Sequence, residues 1–388
     1  MRRPRLFGLL LGAAALAGCS LLPTAGPSLR DIEAQEPKGG PPRFALIEID
    51  ARSVAALRAV PVEDFKERFA KFGLPPKPTI GVGDTVAVAI WEAAAGGLFA
   101  SAPGDAPAAG AHSIALPEQV VDADGAITVP FAGRIAVDGL EPAQVQQAIA
   151  HRLADKAIDP QVIVRVVKSV ANTATVTGEV QGGGRMPLSP KGDRLLEVIA
   201  AAGGARAPVY ETFVRLSRRG VTATMPMQTL VSEPAENIYA WPGDVMTLVR
   251  APKSFSVFGA AGTNAEVNFG SDRMNLAEAL AKAGGLQDAR SDPAGVFLFR
   301  HERPEAVRAL GPRAAGPVPD PDDSVPVVYR LDLTKPDSYF LAQDFPVEDK
   351  DLIYVANARF TELQKFFGLL STLTSPVITG VVVKDAVH

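Results

Sequence analysis

The sequence predicts an α+β protein with several domains: a small mixed domain, two tandem β-rich domains that each pack one helix, and a C-terminal amphipathic helix. Three observations lead to this prediction. Residues 80–170 change from the two-residue apolar period of strands to the 3.6-residue period of a helix and back. Two later segments repeat each other in a constant register without gaps. The last part of the chain has one apolar and one polar side when drawn as a helix.

Length and charge limit the classes of function. The chain has 388 residues and a formal net charge of -4. This length corresponds to two or three domains with room for hydrophobic cores. The negative net charge argues against non-specific binding to nucleic acid, which requires a surplus of Lys and Arg.

The N-terminus reads as a secretory signal. In residues 1–18, three arginines precede an apolar run that is too short to span a membrane. The segment Leu16-Ala17-Gly18-Cys19 resembles a bacterial lipobox, in which the signal is removed before the cysteine and the cysteine is acylated. Cys19 is the only cysteine in the chain, and several acyl chains on it would anchor the protein stably in a membrane. Ser20 differs from the Asp that typically retains such lipoproteins in the inner membrane, so we expect the outer membrane.

A tether and a short helical segment follow the predicted anchor. Residues 19–45 are rich in Pro, Gly and small residues, which is typical of a linker. We expect residues 46–79 to form an N-terminal helical segment.

Residues 80–170 predict the first folded domain. The segment IGVGDTVAVAIWE, from Ile80, alternates as a strand does, and the Gly- and Ala-rich residues 93–112 predict a surface loop. Asp124-Gly125 lies between two extended segments and predicts a hairpin turn. Val145, Ile149 and Leu153 lie on one face of a helix that begins near residue 141, and the strand PQVIVRVV follows.

An internal repeat predicts two further domains, at residues 171–252 and 253–357. The two copies share glycines, a leucine and a Gly-Gly helix end in one register: Gly178 and Gly259, Leu195 and Leu276, Gly203-Gly204 and Gly284-Gly285. Their Asp turns, Asp244 and Asp351, are further apart than these pairs, so the second copy carries an insertion. We place this insertion in a Pro-rich loop at 303–327.

No pattern in the sequence indicates catalysis. The four histidines, His112, His151, His301 and His388, are far apart, so no metal site is predicted. There is no nucleophile elbow, and GEVQGGGRMPL lacks the Lys of a phosphate loop and predicts a hairpin turn. The carboxylate pairs Asp122/Asp124 and Asp349/Asp351 could cleave a glycan, but 43 acidic residues produce such pairs by chance. We expect no enzyme activity, cofactor or metal.

Three clustered arginines have two interpretations. Arg215, Arg218 and Arg219 could line a route for an anionic polymer, because charge acts at a distance. The alternative, a solvated strand end, is the interpretation we favour.

The C-terminal residues 358–388 predict a two-sided helix. Its polar side excludes a lone membrane span, and its apolar side excludes a solvated tail. From the residues alone, a helix packed on the protein core or lying flat on a membrane is the simplest interpretation. Pro376 leaves open where the helix ends.

Together these features resemble the outer-membrane polysaccharide export family, the Wza-type lipoproteins. IGVGDTVAVAIWE, VDADGAITVPFAGRIAVDGL and DPQVIVRV resemble its export domain, and the segments LLEVIAAAGG and LAEALAKAGG resemble its SLBB-type β-grasp domains. The resemblance implies a homo-oligomeric ring, usually of eight subunits, that stands in the periplasm around a wide lumen. It also implies export of a capsular or exopolysaccharide with an inner-membrane co-polymerase and kinase or an ABC exporter as partner.

The resemblance changes the interpretation of the tail. In a ring of transmembrane helices, apolar stripes face lipid and polar stripes face a water-filled lumen. The expected membrane-facing residues are Phe360, Leu363, Phe366, Phe367, Leu370 and Leu373. The expected lumen-facing residues are Thr361, Gln364, Lys365 and Thr372.

One alternative function remains at this stage. The same chain could be a periplasmic lipoprotein that binds a glycan or a partner protein through its repeated domains without forming a pore.

Overall fold

The computed structural model describes residues 26–34, 43–60, 64–92, 98, 112–314 and 324–358. The chain forms two compact units. The central unit is Glu63–Ala251, and the split unit joins Met1–Val62 to Pro252–His388. The fold is multidomain and mixed α and β, as the sequence predicts.

The N-terminal elements differ from the predicted helical segment. They are α1 (Leu29–Glu33), β1 (Ala45–Glu48), α2 (Ala51–Arg58) and α3 (Phe65–Arg68). The expectation of a helical segment at 46–79 is therefore wrong at its start, where β1 pairs in parallel with residues 327–330. Its alternating pattern, with Ala45 and Ile47 buried, is that of a strand.

Residues 80–170 form a small sheet with one helix, as predicted. The strands and the helix are β2 (Thr85–Glu92), β3 (His112–Ala115), β4 (Gln119–Val120), β5 (Ala126–Val129), β6 (Gly133–Ala136), α4 (Pro142–Leu153) and β7 (Gln161–Lys168). β2 is the centre of one sheet and pairs with β3, β4 and β7. The helix buries Val145, Ile149 and Leu153 completely, which is the face that the sequence predicts.

The predicted hairpin turn at Asp124-Gly125 lies before β5, whereas the hairpin itself is formed by the turn between β5 and β6. Asp122 does close a tight turn, because its side chain accepts hydrogen bonds from the backbone nitrogens of Asp124 and Ala126. However, the hairpin of β5 and β6 turns at residues 130–132, where Phe131 has a φ of 65°. The Asp-Gly signal identified a turn but not the pair of strands that it joins.

The first repeat forms a five-stranded sheet with a helix on its core side. Its elements are β8 (Thr173–Gly178), β9 (Gly184–Pro187), α5 (Leu195–Ala201), β10 (Thr212–Arg218), β11 (Val221–Pro226), α6 (Met227–Ser232) and β12 (Val245–Arg250). The strand order is β11-β10-β12-β8-β9. β8 and β9 form the hairpin predicted from the Gly-rich segment.

The second repeat has the same core with additions. Its elements are β13 (Ser254–Gly259), β14 (Ala265–Asn268), β15 (Met274–Asn275), α7 (Leu276–Lys282), β16 (Ser291–Glu302), α8 (Pro304–Leu310), β17 (Val325–Leu331), α9 (Asp337–Asp344), β18 (Pro346–Val347) and β19 (Leu352–Asn357). The sheet order is β1-β17-β16-β19-β13-β14, so β1 completes it at one edge. The predicted Pro-rich loop at 303–327 is only partly a loop, because it contains α8 and the first residues of β17.

The backbone shows that the two repeats share the same core structure. In each, the helix ends in two glycines with positive φ, as predicted: 86° and 79° at Gly203 and Gly204, 81° and 74° at Gly284 and Gly285. The wider register predicted after the insertion also holds, since Leu195 N donates to Ile238 O and Leu276 N donates to Phe345 O, both at 3.0 Å.

β8 and β13 each end in a glycine because the backbone of a neighbouring strand approaches closely at that point. A Cβ on Gly178 would lie 2.0 Å from the Leu248 carbonyl oxygen, and one on Gly259 would lie 2.1 Å from that of Val355. Both residues also have positive φ. Only glycine fits where these neighbouring strands approach so closely.

We expect Gly259→Ala to destabilise the second repeat by roughly 3 kcal/mol or more, because it combines a backbone clash with an unfavourable φ. The control is Gly285→Ala, which has a φ of 74° but no atom within 4 Å of the added Cβ and should lose about 1 kcal/mol. Hydrogen exchange of β13 and β19 in denaturant, followed by mass spectrometry, measures both. Equal losses for the two variants would contradict the role of the close approach.

Candidate functional site

The residues predicted to meet membrane and lumen lie outside the described residues. These are Cys19, Phe360, Thr361, Leu363, Gln364, Lys365, Phe366, Phe367, Leu370, Thr372 and Leu373. Among the helices in the part of the chain that the structure describes, none has the length and apolarity to cross a membrane. The features that the structure does place are the charged clusters and the outer faces of the sheets.

Both candidate carboxylate pairs are structural. Arg134 Nη2 binds Asp122 at 2.7 Å and Asp124 at 2.6 Å, which ties β6 to the turn before β5. Asp349 accepts a hydrogen bond from Ser254 N at 2.8 Å, and Asp351 is buried in an ion pair. Each of these carboxylates thus holds a turn or a strand end in place.

The structure describes the side chains of two of the four histidines, His151 and His301. His151 lies exposed in the last turn of α4 and His301 lies exposed on β16, in different units. His112 begins β3, and His388 lies outside the described residues. Within residues 26–34, 43–60, 64–92, 98, 112–314 and 324–358, no group of three His, Cys, Asp or Glu side chains could hold a metal ion.

The three clustered arginines have three different environments. Arg215 is exposed on β10. Arg219 lies in the turn after β10 with its guanidinium 5.0 Å from the centre of the Trp241 ring. Arg218 is only 2% exposed, so the interpretation of the whole cluster as a solvated strand end is wrong for this residue. Alternating side chains on a strand place 215 and 218 on opposite faces of the sheet.

Arg218 belongs to a buried ion pair that recurs in the second repeat. Its Nε and Nη2 bind the two carboxylate oxygens of Asp244 at 2.9 and 2.7 Å. Arg300 binds Asp351 in the same way, at 2.8 and 2.6 Å. Both arginines are nearly inaccessible to solvent, as are both aspartates.

The hydrogen bonds around the two pairs are also the same. Each arginine donates a further bond from Nη2 to a carbonyl five residues before the aspartate, at Tyr239 or Pro346. Each aspartate accepts a bond from the backbone nitrogen three residues before it, at Trp241 or Glu348. Every pair thus fixes the turn that leads into β12 or β19.

Aromatic rings surround both guanidinium groups. Arg218 lies 5.3, 5.5 and 5.7 Å from the ring centres of Phe69, Phe72 and Trp241. Arg300 lies 5.7 and 5.6 Å from those of Tyr329 and Phe345. The ring faces offset part of the cost of removing the guanidinium from water.

The second repeat adds a second buried carboxyl beside its buried arginine. Glu302, only 2% exposed, lies 3.3 Å from Arg300 Nη1 and accepts a 2.7 Å hydrogen bond from the hydroxyl of Tyr329. Burial raises the pKa of Glu302 above its ordinary value, and the charge of Arg300 and the Tyr329 hydrogen bond offset this only in part. One arginine thus serves two buried carboxyl groups.

The N-terminal segment docks on the outer face of the second repeat. Ile32 of α1 is buried among Phe297, Val328, Tyr354 and Ala356, on the side of the sheet away from the main core. The Tyr354 hydroxyl donates to Pro27 O at 2.8 Å, and Arg330 binds Glu33 at 2.6 Å. Residues 27–33 lie within the segment 19–45 that the sequence predicts as a tether, so this prediction is wrong for them: they are fixed to the sheet by burial of Ile32 and by these two contacts.

Sequence reasoning missed Arg300, Glu302 and the docking segment. The sequence does contain a signal for the two buried arginines, because Arg218 and Arg300 occupy equivalent strands of the two repeats and the Asp turns of the repeats align. The signal is weak because the two arginines are one position out of register with the shared glycines and leucines. No pattern marks Ile32 as a buried residue, since α1 has only five residues.

Three segments of the chain match known families. The family described as polysaccharide biosynthesis/export protein matches residues 74–167. The SLBB domain matches twice, at residues 173–228 and 253–355. Each SLBB match lies within one of the two structural repeats.

The chain is also similar to named proteins over most of its length. It is 37% identical over 384 residues to the capsule polysaccharide export outer membrane protein CtrA of Neisseria meningitidis serogroup B, covering 96% of this chain and 95% of CtrA. It is 34% identical over 386 residues to the capsule polysaccharide export protein BexD of Haemophilus influenzae, covering 95% and 94%. The EPS I polysaccharide export outer membrane protein EpsA of Ralstonia solanacearum is 27% identical over 309 residues, covering 77% and 76%.

We expect Arg300→Met to destabilise the second repeat by about 3–5 kcal/mol, because it leaves Asp351 and Glu302 buried without a positive partner. The matched control is Arg313→Met, whose partner Asp50 is exposed and whose loss should cost less than about 1 kcal/mol. Denaturant unfolding followed by circular dichroism and by hydrogen exchange of β16 measures the difference. Similar losses for the two variants would show that the buried pair is not critical.

Glu302→Gln should alter how stability depends on pH. A carboxyl with a raised folded-state pKa binds protons more tightly in the folded state, so stability falls as pH rises from the unfolded pKa through the folded one. Gln stays neutral and can still accept the bonds from Arg300 and Tyr329. We therefore expect the variant to match or exceed the wild type at pH 8, with its advantage shrinking towards pH 5.

Unfolding curves between pH 5 and 8 test this expectation. Glu305→Gln is the control, since it removes the same charge from a half-exposed carboxyl that pairs with Arg308. A Glu302→Gln profile parallel to that of the wild type would mean that Glu302 does not titrate abnormally.

Proposed function

The chain belongs to the polysaccharide biosynthesis/export family of outer-membrane proteins, and we infer from this that it exports a capsular or exopolysaccharide across the outer membrane. The observation that carries the inference is the similarity to CtrA over 96% of the chain, with an export domain and two SLBB domains in order. The relatives are named for export rather than catalysis. The chain is accordingly not an enzyme and moves the polymer without covalent chemistry.

We propose that export occurs through a ring of identical subunits, with an octamer as the expected size. In this proposal the residues 359–388 supply a helix to a closed barrel, whose apolar sides face lipid and whose polar sides face the lumen. The support is the two-sided pattern of the tail together with the outer-membrane names of the relatives. An inner-membrane co-polymerase and kinase or an ABC exporter would deliver the polymer.

We further propose that Cys19 carries the lipid anchor and that the split unit lies close to the membrane. The docked segment begins at Gly26, seven residues after Cys19, and such a linker spans at most about 25 Å. The tail starts after Ala358, which follows β19 in the same unit. An anchor and a membrane helix that both leave the split unit would hold it at the membrane surface.

Removal of residues 359–388 tests the conduit. We expect the truncated protein to remain folded, because these residues follow the last strand of the second repeat, while polysaccharide on the cell surface falls to the level of a strain without the gene. Antibody staining of intact cells measures surface polymer, and circular dichroism of the purified protein checks the fold. Undiminished surface polymer with a folded truncated protein would contradict the conduit role of the tail.

Electron microscopy of the detergent-extracted full chain separates the ring from the adaptor. Rings support the conduit, and monomers support a periplasmic binding protein instead. Cys19→Ser, with loss of labelled palmitate from the protein, tests the anchor independently of the ring.

A further inference from the structure

The outer face of the first SLBB sheet, opposite the helix-covered core, carries a polar region. Paired residues across β11, β10, β12 and β8 form one row on this face: Thr224, Arg215, Thr247 and Thr177. The hydroxyl oxygens of Thr177 and Thr247 are 3.2 Å apart, and Arg215 Nε lies 3.4 Å from the Thr224 hydroxyl. Four strands at ordinary spacing make this row about 14 Å long.

A second row runs beside the first and is polar except for one valine. It contains Thr222, Ser217, Val245, Thr175 and Arg185 in successive strands. Ser217 and Thr222 share a 2.9 Å hydrogen bond, and Arg185 is exposed on β9. We call the two rows together the hydroxyl face.

The hydroxyl face is positively charged and accessible. Its two arginines have no carboxylate in either row to neutralise them. Thr177, Arg185, Arg215 and Thr222 are exposed, and none of the face residues is buried. Most of the hydroxyls that are bonded to each other retain further donor or acceptor capacity.

The second SLBB domain shows that the fold does not impose this chemistry. At the positions of Thr224, Arg215, Thr247 and Thr177 it carries Arg330, Phe297, Tyr354 and Phe258. This equivalent face is largely aromatic, and the N-terminal segment covers part of it through Ile32. The same sheet surface thus has an occupant from its own chain in one domain and a solvated hydroxyl surface in the other.

We propose that the hydroxyl face is a sliding contact for a polysaccharide that carries negative charges. Threonine and serine hydroxyls can exchange hydrogen bonds with sugar hydroxyls, and the two arginines attract carboxylate or phosphate groups along the polymer. Shallow, repeated contacts suit transport, which requires binding strong enough to admit the polymer and weak enough to release it. The proposal rests on the export function and names the surface that the exported polymer touches.

Charge reversal on the face tests the contact directly. The probe is polygalacturonate, a negatively charged polysaccharide, and neutral dextran serves as its counterpart. The detergent-extracted full chain with Arg185→Glu and Arg215→Glu together should bind polygalacturonate roughly tenfold more weakly than the wild type at low salt. The control, Arg165→Glu, reverses an exposed arginine on β7 of the export domain and should bind like the wild type.

Different results would contradict the hydroxyl face as the polymer contact and the export function of the protein. In cells, the double variant should restore less surface polysaccharide than the wild type to a strain that lacks the gene, at equal amounts of folded protein. If the double variant binds polygalacturonate and restores surface polymer as the wild type does, the hydroxyl face is not the contact. If cells without the gene keep their surface polymer, the export function itself fails, whereas the binding comparison still decides whether the face contacts glycan.

Discussion

A buried guanidinium held by two carboxylate oxygens is the interaction on which both SLBB domains depend. Arg218 and Arg300 are removed from water together with their aspartates, and a charge left there without its partner would cost several kcal/mol. The arginine belongs to one strand and the aspartate to the turn before another strand. Strand and turn therefore cannot separate without leaving a buried charge unpaired. The same side chains satisfy a carbonyl and an amide of the turn, so the pair fixes its conformation as well as its position.

With the interior constrained in this way, the two domains differ mainly at their edges and outer faces. The second domain gains β1 at the edge of β17, a helix between β16 and β17, and the buried carboxyl Glu302. The buried Arg and Asp residues are the same in both domains, and so are the glycines where neighbouring strands approach closely. Substitutions in the interior of the domain are costly, whereas substitutions on its outer face cost little. One fold can therefore carry two different surfaces.

Much of this architecture could be predicted from local pattern, and the failures have a common physical cause. The face of α4 and the Gly-Gly ends of α5 and α7 depend on residues within a few positions, so periodicity and positive φ reveal them. The partner of β1 is β17, which lies near the other end of the chain, and pairing over such a separation leaves no local signal. Burial of Arg218 likewise depends on Asp244 and on rings from a different segment, which is why its place near a strand end predicts a solvated residue.

The contrast between the two outer faces also bears on how a polymer can move. Aromatic rings hold sugars by stacking and by burying apolar area, which favours tight and stationary binding. In the second SLBB domain two of these rings, Phe297 and Tyr354, are already buried against the N-terminal segment. A hydroxyl exchanges a hydrogen bond with water for one with a sugar at a net gain of only about 1 kcal/mol. Each such contact therefore breaks readily while its neighbours persist. A face of threonines with two arginines can keep a charged polymer nearby without stopping it, because no single contact has to be broken at high cost.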